Sequence, residues 1–213
     1  VSQSVEKSMS LIPGFLDALD RDIEVTAQAL REAKLRVIAV YFGGGTPTTL
    51  SAGQLDRVCT KLEECIDLTQ LSEFTVEAGR PDTITDEKLA VLRAHGVTRV
   101  SVNPQTMQDD VLAAIGRRHT AQDVERALEC VRRAGGFEVN MDLIAGLPED
   151  TVEGFRGTLR RVIDLGPENI TVHTLALKKG SRIMLDGTRL PDAAEVGQML
   201  DDAQAMLRAA EYE

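Results

Sequence analysis

Val37-Ile-Ala-Val-Tyr-Phe-Gly-Gly-Gly-Thr-Pro-Thr48 runs from apolar, partly β-branched residues straight into three glycines. A short apolar run bounded by glycine and proline reads as a buried parallel strand rather than a helix. Gly43, Gly44 and Gly45 then form a turn where backbone N–H and C=O groups can approach a ligand, because no side chain intervenes. Thr46 adds a hydroxyl, and Pro47 stiffens the exit. In α/β sheets and barrels, ligands bind at this C-terminal end of the strands. Phosphate is the usual ligand of such a turn, but neither Gly-Lys-Ser/Thr nor G-x-G-x-x-G follows. A tight turn that binds nothing is the plain alternative.

On either side of this stretch the hydrophobic pattern alternates between helix and strand periods. Phe15, Leu16, Leu19, Ile23 and Leu30 predict a helix over 11–33. Ser51 is a good N-cap for a helix with a Leu55, Val58, Leu62, Ile66 stripe. Strands are expected at 73–78, 99–103, 138–144 and 169–175, and helices at 86–95, 107–115, 120–134, 151–165 and 192–212. Residues 178–191 read as a polar loop. Strict alternation leaves two candidates, a (β/α) barrel or a doubly wound sheet, within a single domain spanning 1–213. Because the chain opens on a helix, a strand is expected to precede it. That gives six strands, an open barrel cut at both ends.

Composition narrows the function. Lys and Arg number 24 against 34 Asp and Glu, a net charge of −10, which argues against a general nucleic-acid or membrane-surface role. No apolar run reaches membrane-spanning length, and no signal peptide is visible. Cys59, Cys65 and Cys130 are scattered, neither a disulfide framework nor a metal-ligand cluster. They read as ordinary semi-buried thiols in a reducing cytosol.

Polar residues gather at the expected strand ends. They are the Gly43–Thr46 turn, Glu77 and Arg80, Asn103 and Gln105, Asn140 and Asp142, and His173 and Thr174. Arg117, Arg118 and His119 follow the third strand. Each has a bland explanation alone; a strand histidine, for instance, is more often a satisfied core residue than a ligand. Together they mark one polar mouth, because carboxylates and amides on buried strands are costly unless they bind something.

These segments also carry a resemblance. Tyr-Phe-Gly-Gly-Gly-Thr-Pro-Thr at 41–48, Val-Glu-Ala-Gly-Arg-Pro at 76–81, Arg-Val-Ser-Val-Asn-Pro-Gln-Thr at 99–106, Ile-Gly-Arg-Arg-His-Thr at 115–120 and Asn-Met-Asp-Leu-Ile-Ala-Gly-Leu-Pro at 140–148 resemble radical S-adenosylmethionine (SAM) enzymes. Within them the wording is similar to the oxygen-independent coproporphyrinogen III oxidase group, in particular its HemZ branch. The resemblance implies a partial (β/α)6 barrel, with Gly44, Gly45, Thr46, Glu77, Gln105, Arg117, Asp142 and Leu175 as SAM contacts. The chemistry agrees: ammonium and sulfonium cations need carboxylate and carbonyl partners, and the methionine carboxylate needs an arginine.

The resemblance further implies a [4Fe–4S] cluster held by a Cys-x-x-x-Cys-x-x-Cys loop, but no such loop occurs in this chain. Loss of the loop together with the preceding strand is the reading that accounts for both, and it leaves this chain inactive by itself. For the whole protein the implied reaction is hydrogen abstraction from coproporphyrinogen III propionates by a 5′-deoxyadenosyl radical. Decarboxylation to vinyl groups follows in cytoplasmic haem biosynthesis, with an electron donor as partner. Arg118, Lys178, Lys179 and Arg182, beside Arg117, are candidates for holding the anionic porphyrinogen, with a solvated loop as the alternative. Two other functions are a haem-binding or haem-delivery protein using His119 and His173, and a radical SAM enzyme, such as a methyltransferase, with another substrate.

Overall fold

The computed structural model describes residues 10–176 and 188–212. In chain order the described elements are α1 (Ile12–Glu32), β1 (Ala39–Phe42), a 3-10 turn (Pro47–Thr49), α2 (Ala52–Cys65) and β2 (Glu73–Ala78). A second 3-10 turn (Pro81–Thr83), α3 (Asp86–Ala94), β3 (Arg99–Val102), α4 (Asp109–Ala114) and α5 (Ala121–Ala134) follow. The last are β4 (Glu138–Ala145), α6 (Val152–Leu165), β5 (Asn169–Thr174) and α7 (Ala193–Ala209). Local chemistry sets these boundaries. Ser51 and Gln54 close a reciprocal capping box on α2, Thr120 and Asp123 one on α5, and Asp192 and Glu195 one on α7. Gly166, at φ +61°, ends α6 in the left-handed conformation that glycine adopts without strain.

All five strands pair in parallel in the order β1-β2-β3-β4-β5. A doubly wound sheet would reverse its order at a switch point. This one steps in a single direction, so right-handed crossovers place the connecting helices on one face, as in a barrel. The expected choice between two folds is thereby resolved as an α/β, partial TIM-barrel-like sheet. The register confirms the two faces. Phe74, Val76 and Ala78, Val100 and Val102, and Val139, Met141, Leu143 and Ala145 are all buried and lie on one side, in the core. The other side carries Tyr41, Thr75, Glu77, Ser101, Asn140, Asp142 and Thr171.

One expectation is corrected here. The Val37–Phe42 run is not a buried strand. Its ladder begins at Ala39, it is an edge strand among the described residues, and Ile38 and Tyr41 are 56% and 57% exposed. Phe42 fastens it to the core, with its ring edge-on to Phe74 at 5.3 Å between centroids. Phe15 likewise leaves the core and is exposed, although Leu16 and Ile23 of the same helix are buried. The 3-10 turns after β1 and β2 were not legible in the sequence.

Two devices hold the helices and strand-end loops. Lys88 of α3 donates through Nζ to the Thr48 carbonyl at 2.6 Å and the Thr83 carbonyl at 3.0 Å, and the Thr48 and Thr83 hydroxyls meet at 2.6 Å. This ties the loop after β1 to the loop after β2. His95, at the end of α3, is clamped between Glu63 (2.7 Å) and Asp56 (2.9 Å) of α2. Burial alone would lower the pKa of His95, but its hydrogen bonds to Asp56 and Glu63 raise it above the ordinary 6.5.

Lys88→Met leaves two carbonyls without their donor and should destabilise the fold by about 1–3 kcal/mol in chemical denaturation. The His95 clamp contributes fully below the unfolded-state pKa near 6.5 and is lost as pH rises through the raised folded value. Its carboxylates are largely exposed, so the contribution is of order 0.5–1 kcal/mol. Denaturation midpoints should therefore fall between about pH 6 and pH 8 in the wild type, and His95→Gln should flatten that part of the profile.

Candidate functional site

The C-terminal strand ends converge the polar residues singled out in the sequence. Glu77 projects from β2 onto the polar face in register with Ser101, which is in turn in register with Asn140. Asp142 lies two residues further along that face of β4. The two carboxylates are each held by one oxygen. Tyr41 Oη donates to Glu77 Oε1 at 2.6 Å, and Asn140 Nδ2 donates to Asp142 Oδ1 at 2.7 Å. Among the described residues nothing donates to the other oxygen of either group, which leaves both able to accept from a ligand. Asn140 is a hub: it also donates to Ser101 Oγ at 3.3 Å and accepts from Thr171 Oγ1 at 3.0 Å, linking β3, β4 and β5 behind Asp142.

Each glycine of the loop after β1 has its own reason. Gly44 takes φ +109°, which L side chains rarely adopt. A Cβ at Gly45 would meet nothing within 4 Å, so this position is open to a ligand. Gly43 differs, because a Cβ there would fall 2.5 Å from Tyr41 Cε1. Its missing side chain makes room for the Tyr41 ring, not for a ligand. Thr46 is the N-cap residue of the first 3-10 turn, and its hydroxyl donates to the Gly45 carbonyl at 2.7 Å. An apolar groove of about 540 Å³ between α1 and β1 opens onto Tyr41, Gly43, Gly45 and Thr46.

Past β3 the backbone takes a special course. Gln105 sits at φ +68°, left-handed for a non-glycine residue, and is held there by two backbone bonds to β4. Its N–H donates to the Asp142 carbonyl at 3.0 Å, and its carbonyl accepts from the Ile144 N–H at 2.9 Å. Its position beside Asp142 is thus built into the sheet. Nearby, Asn103 Oδ1 is buried with no donor among the described residues. Leu175 continues the β5 ladder by donating to the Ala145 carbonyl at 3.0 Å.

The basic rim is uneven. Arg117 is partly buried, no carboxylate among the described residues pairs with it, and its pKa is lowered by burial and then by Arg80. A desolvated guanidinium beside a second one favours an anionic ligand. Arg118 is exposed. Lys178, Lys179 and Arg182 lie outside the described residues.

The two candidate haem ligands differ. His119 is buried, is hydrogen-bonded to the Pro104 backbone, and is held below its ordinary pKa by burial and then by Arg117. It is a packed histidine rather than a presented ligand. His173 is exposed on the polar face of β5.

Glu77 and Asp142 each offer a free carboxylate oxygen that can accept from a cationic or hydroxyl-bearing ligand. Two residues carry no separate signal in the sequence: Tyr41, which falls within the apolar run and the 41–48 motif, and Lys88. Strand parity would have placed Tyr41 on the face of Gly43; nothing in the sequence marks Lys88.

The cysteines do not assemble a metal site. Cys59 is fully buried rather than semi-buried, and its pKa is pushed up to about 12 by burial and then by Glu63 and Asp56. Cys65 and Cys130 lie apart from it on α2 and α5. No group of three or more His, Cys, Asp or Glu side chains suited to a metal occurs among the described residues.

Comparison with known proteins bears on this geometry. Residues 11–162 match the Radical SAM superfamily profile. The chain is 38% identical to the oxygen-independent coproporphyrinogen-III oxidase-like protein HemZ of Bacillus subtilis, over 98% of this chain and 42% of that protein. It is 37% identical to the heme chaperone HemW of Lactococcus lactis, over 76% of this chain and 42% of that protein. The solved structure of coproporphyrinogen III oxidase (HemN) from Escherichia coli superposes with a TM-score of 0.83 at 29% identity, covering 95% of this chain and 46% of that one. The chain thus spans less than half the length of each of these relatives. With the profile matching well over half of its residues and the barrel-type sheet shared with HemN, the chain belongs to the radical SAM superfamily.

Proposed function

We propose that this chain is the SAM-binding part of an enzyme that oxidatively decarboxylates coproporphyrinogen III propionates to vinyl groups, giving protoporphyrinogen IX. Members of the superfamily use SAM and a [4Fe–4S] cluster. The observation that carries the SAM assignment is the pair of carboxylates, Glu77 and Asp142, each anchored by one oxygen and open at the other. The open oxygens suit the ammonium, sulfonium and ribose hydroxyls of SAM. Gly44, Gly45 and Thr46 offer backbone groups and a hydroxyl beside them, Gln105 adds an amide, and Leu175 adds an apolar wall. Arg117 suits the methionine carboxylate. When bound and cleaved by one-electron reduction, SAM would supply the hydrogen-abstracting radical, and Glu77, Asp142 and Arg117 would hold and orient it.

The cysteines of this chain do not fit an iron–sulfur cluster, so no step is assigned to them. Coproporphyrinogen III carries several carboxylates, which Arg118 would receive; Lys178, Lys179 and Arg182, proposed from the sequence for the same role, lie outside the described residues. Sequence similarity leaves the oxidase and chaperone readings level: the oxidase-like HemZ matches over 98% of the chain at 38% identity, and HemW proteins match at 37% over 76% and at 28% over 93%. The similarity to HemW supports a second reading, haem binding, in which the exposed His173 rather than His119 would be the ligand.

Glu77→Ala or Asp142→Ala in the full-length protein should weaken SAM binding by about 1–3 kcal/mol, with the melting curve preserved. Unchanged affinity for either variant removes that residue from the site. Turnover tests the reaction itself: the anaerobically reconstituted, reduced full-length protein should form 5′-deoxyadenosine faster with coproporphyrinogen III and release protoporphyrinogen IX. 5′-Deoxyadenosine without porphyrin product would exclude this substrate. Haem uptake that His173→Ala abolishes, with no SAM cleavage, would favour the chaperone reading.

A further inference from the structure

We propose that Tyr41 is a positioning residue: its phenol fixes one oxygen of Glu77 so that the other faces the bound ligand. The inference rests on the SAM-binding reading of Glu77.

Three observations on different residues converge. The first is the hydrogen bond itself, 2.6 Å from Tyr41 Oη to Glu77 Oε1, short and charge-assisted. It joins side chains 36 residues apart in sequence, on adjacent strands. The second is Gly43. An added Cβ there would lie 2.5 and 2.9 Å from two Tyr41 ring atoms and 3.5 Å from Glu77 Oε1. The ring therefore lies across the Gly43 backbone, in space that any other residue would fill. An exposed tyrosine would ordinarily sample several rotamers. Here ring packing at Gly43 and the bond to Glu77 hold it at both ends. The third is the electrostatic setting. Burial, the Glu77 hydrogen bond, and the charges of Glu77, Asp142 and Glu73 all hold the Tyr41 pKa above its ordinary value. The phenol remains a donor throughout the working pH range.

The choice of residue type matters. An arginine or lysine at this position would neutralise Glu77 and abolish its attraction for a cation. A phenol orients the carboxylate and leaves its charge intact. A carboxylate anchored on one oxygen also has less freedom to lose when a ligand binds.

The test is SAM affinity, measured by equilibrium dialysis on the reconstituted full-length protein. Wild type, Tyr41→Phe, Glu77→Gln and the double variant are compared, with thermal melting as the fold control. Tyr41→Phe keeps the ring over Gly43 and removes only the donor. It should weaken SAM binding roughly three- to tenfold without moving the melting temperature. In 5′-deoxyadenosine formation KM for SAM should rise and kcat should hold. The double variant should match Glu77→Gln within about twofold, because the phenol acts only through that carboxylate. Wild-type affinity in Tyr41→Phe, or losses that multiply in the double variant, would overturn the role of Tyr41 and leave SAM binding standing. Failure of the wild type to bind SAM would overturn both.

Discussion

The architecture depends on side-chain alternation along strands whose parallel ladders run in phase. Val76 pairs with Val100 and Val100 with Val139, so the apolar parity of each strand aligns with its neighbours and faces the helices. The opposite parity is then aligned too, and it is polar: Glu77 with Ser101, Ser101 with Asn140, Asp142 with Thr171. A one-residue slip in any pairing would turn valines onto the polar face and carboxylates under the helices. The same constraint that forms the core thus assembles the site. Single-direction winding places the connecting helices of the described strands on the apolar face.

Charge divides this face into two zones. At the N-terminal ends of the strands, Arg99 lies 3.5 Å from Glu73 and 3.3 Å from Glu138, so the acids there are countered within the protein. At the C-terminal ends, Glu77 and Asp142 are bound, among the described residues, by neutral donors alone, Tyr41 and Asn140. The negative charge stays uncompensated where the loops are, and Arg117 stands apart from it with no acidic partner among the described residues. Desolvated charges without a counter-charge are costly in themselves and favour a ligand that supplies the opposite sign. The tie through Thr48, Thr83 and Lys88 keeps the two loops beside those carboxylates in place.

The relatives show how much this part of the fold leaves open. A coproporphyrinogen-III oxidase-like protein and a heme chaperone match the chain at 38% and 37% identity. Proteins named for a reaction and for delivery share this scaffold, so the scaffold alone does not select between them. Selection has to come from residues around the ligand.

The order of helices and strands, the cap at Ser51, the strand ends where polar residues collect and the superfamily were all legible in the amino-acid sequence. Period, capping and turn chemistry are local, readable over a few residues. Glu77, Gln105 and Asp142 were legible because a polar residue at the end of an apolar strand is conspicuous. The choice between barrel and doubly wound sheet came from the folded chain, because both share one element order and differ in which strands meet. The folded chain alone placed the Val37–Phe42 run at an exposed edge, since burial depends on neighbours that a strand's own residues do not name. It alone separated His119, packed against Pro104, from His173, open on the polar face. The assignments of Gly43 to the Tyr41 ring, Tyr41 to Glu77 and Lys88 to two carbonyls likewise join side chains to distant partners through the fold. Such contacts leave no periodic trace in the chain.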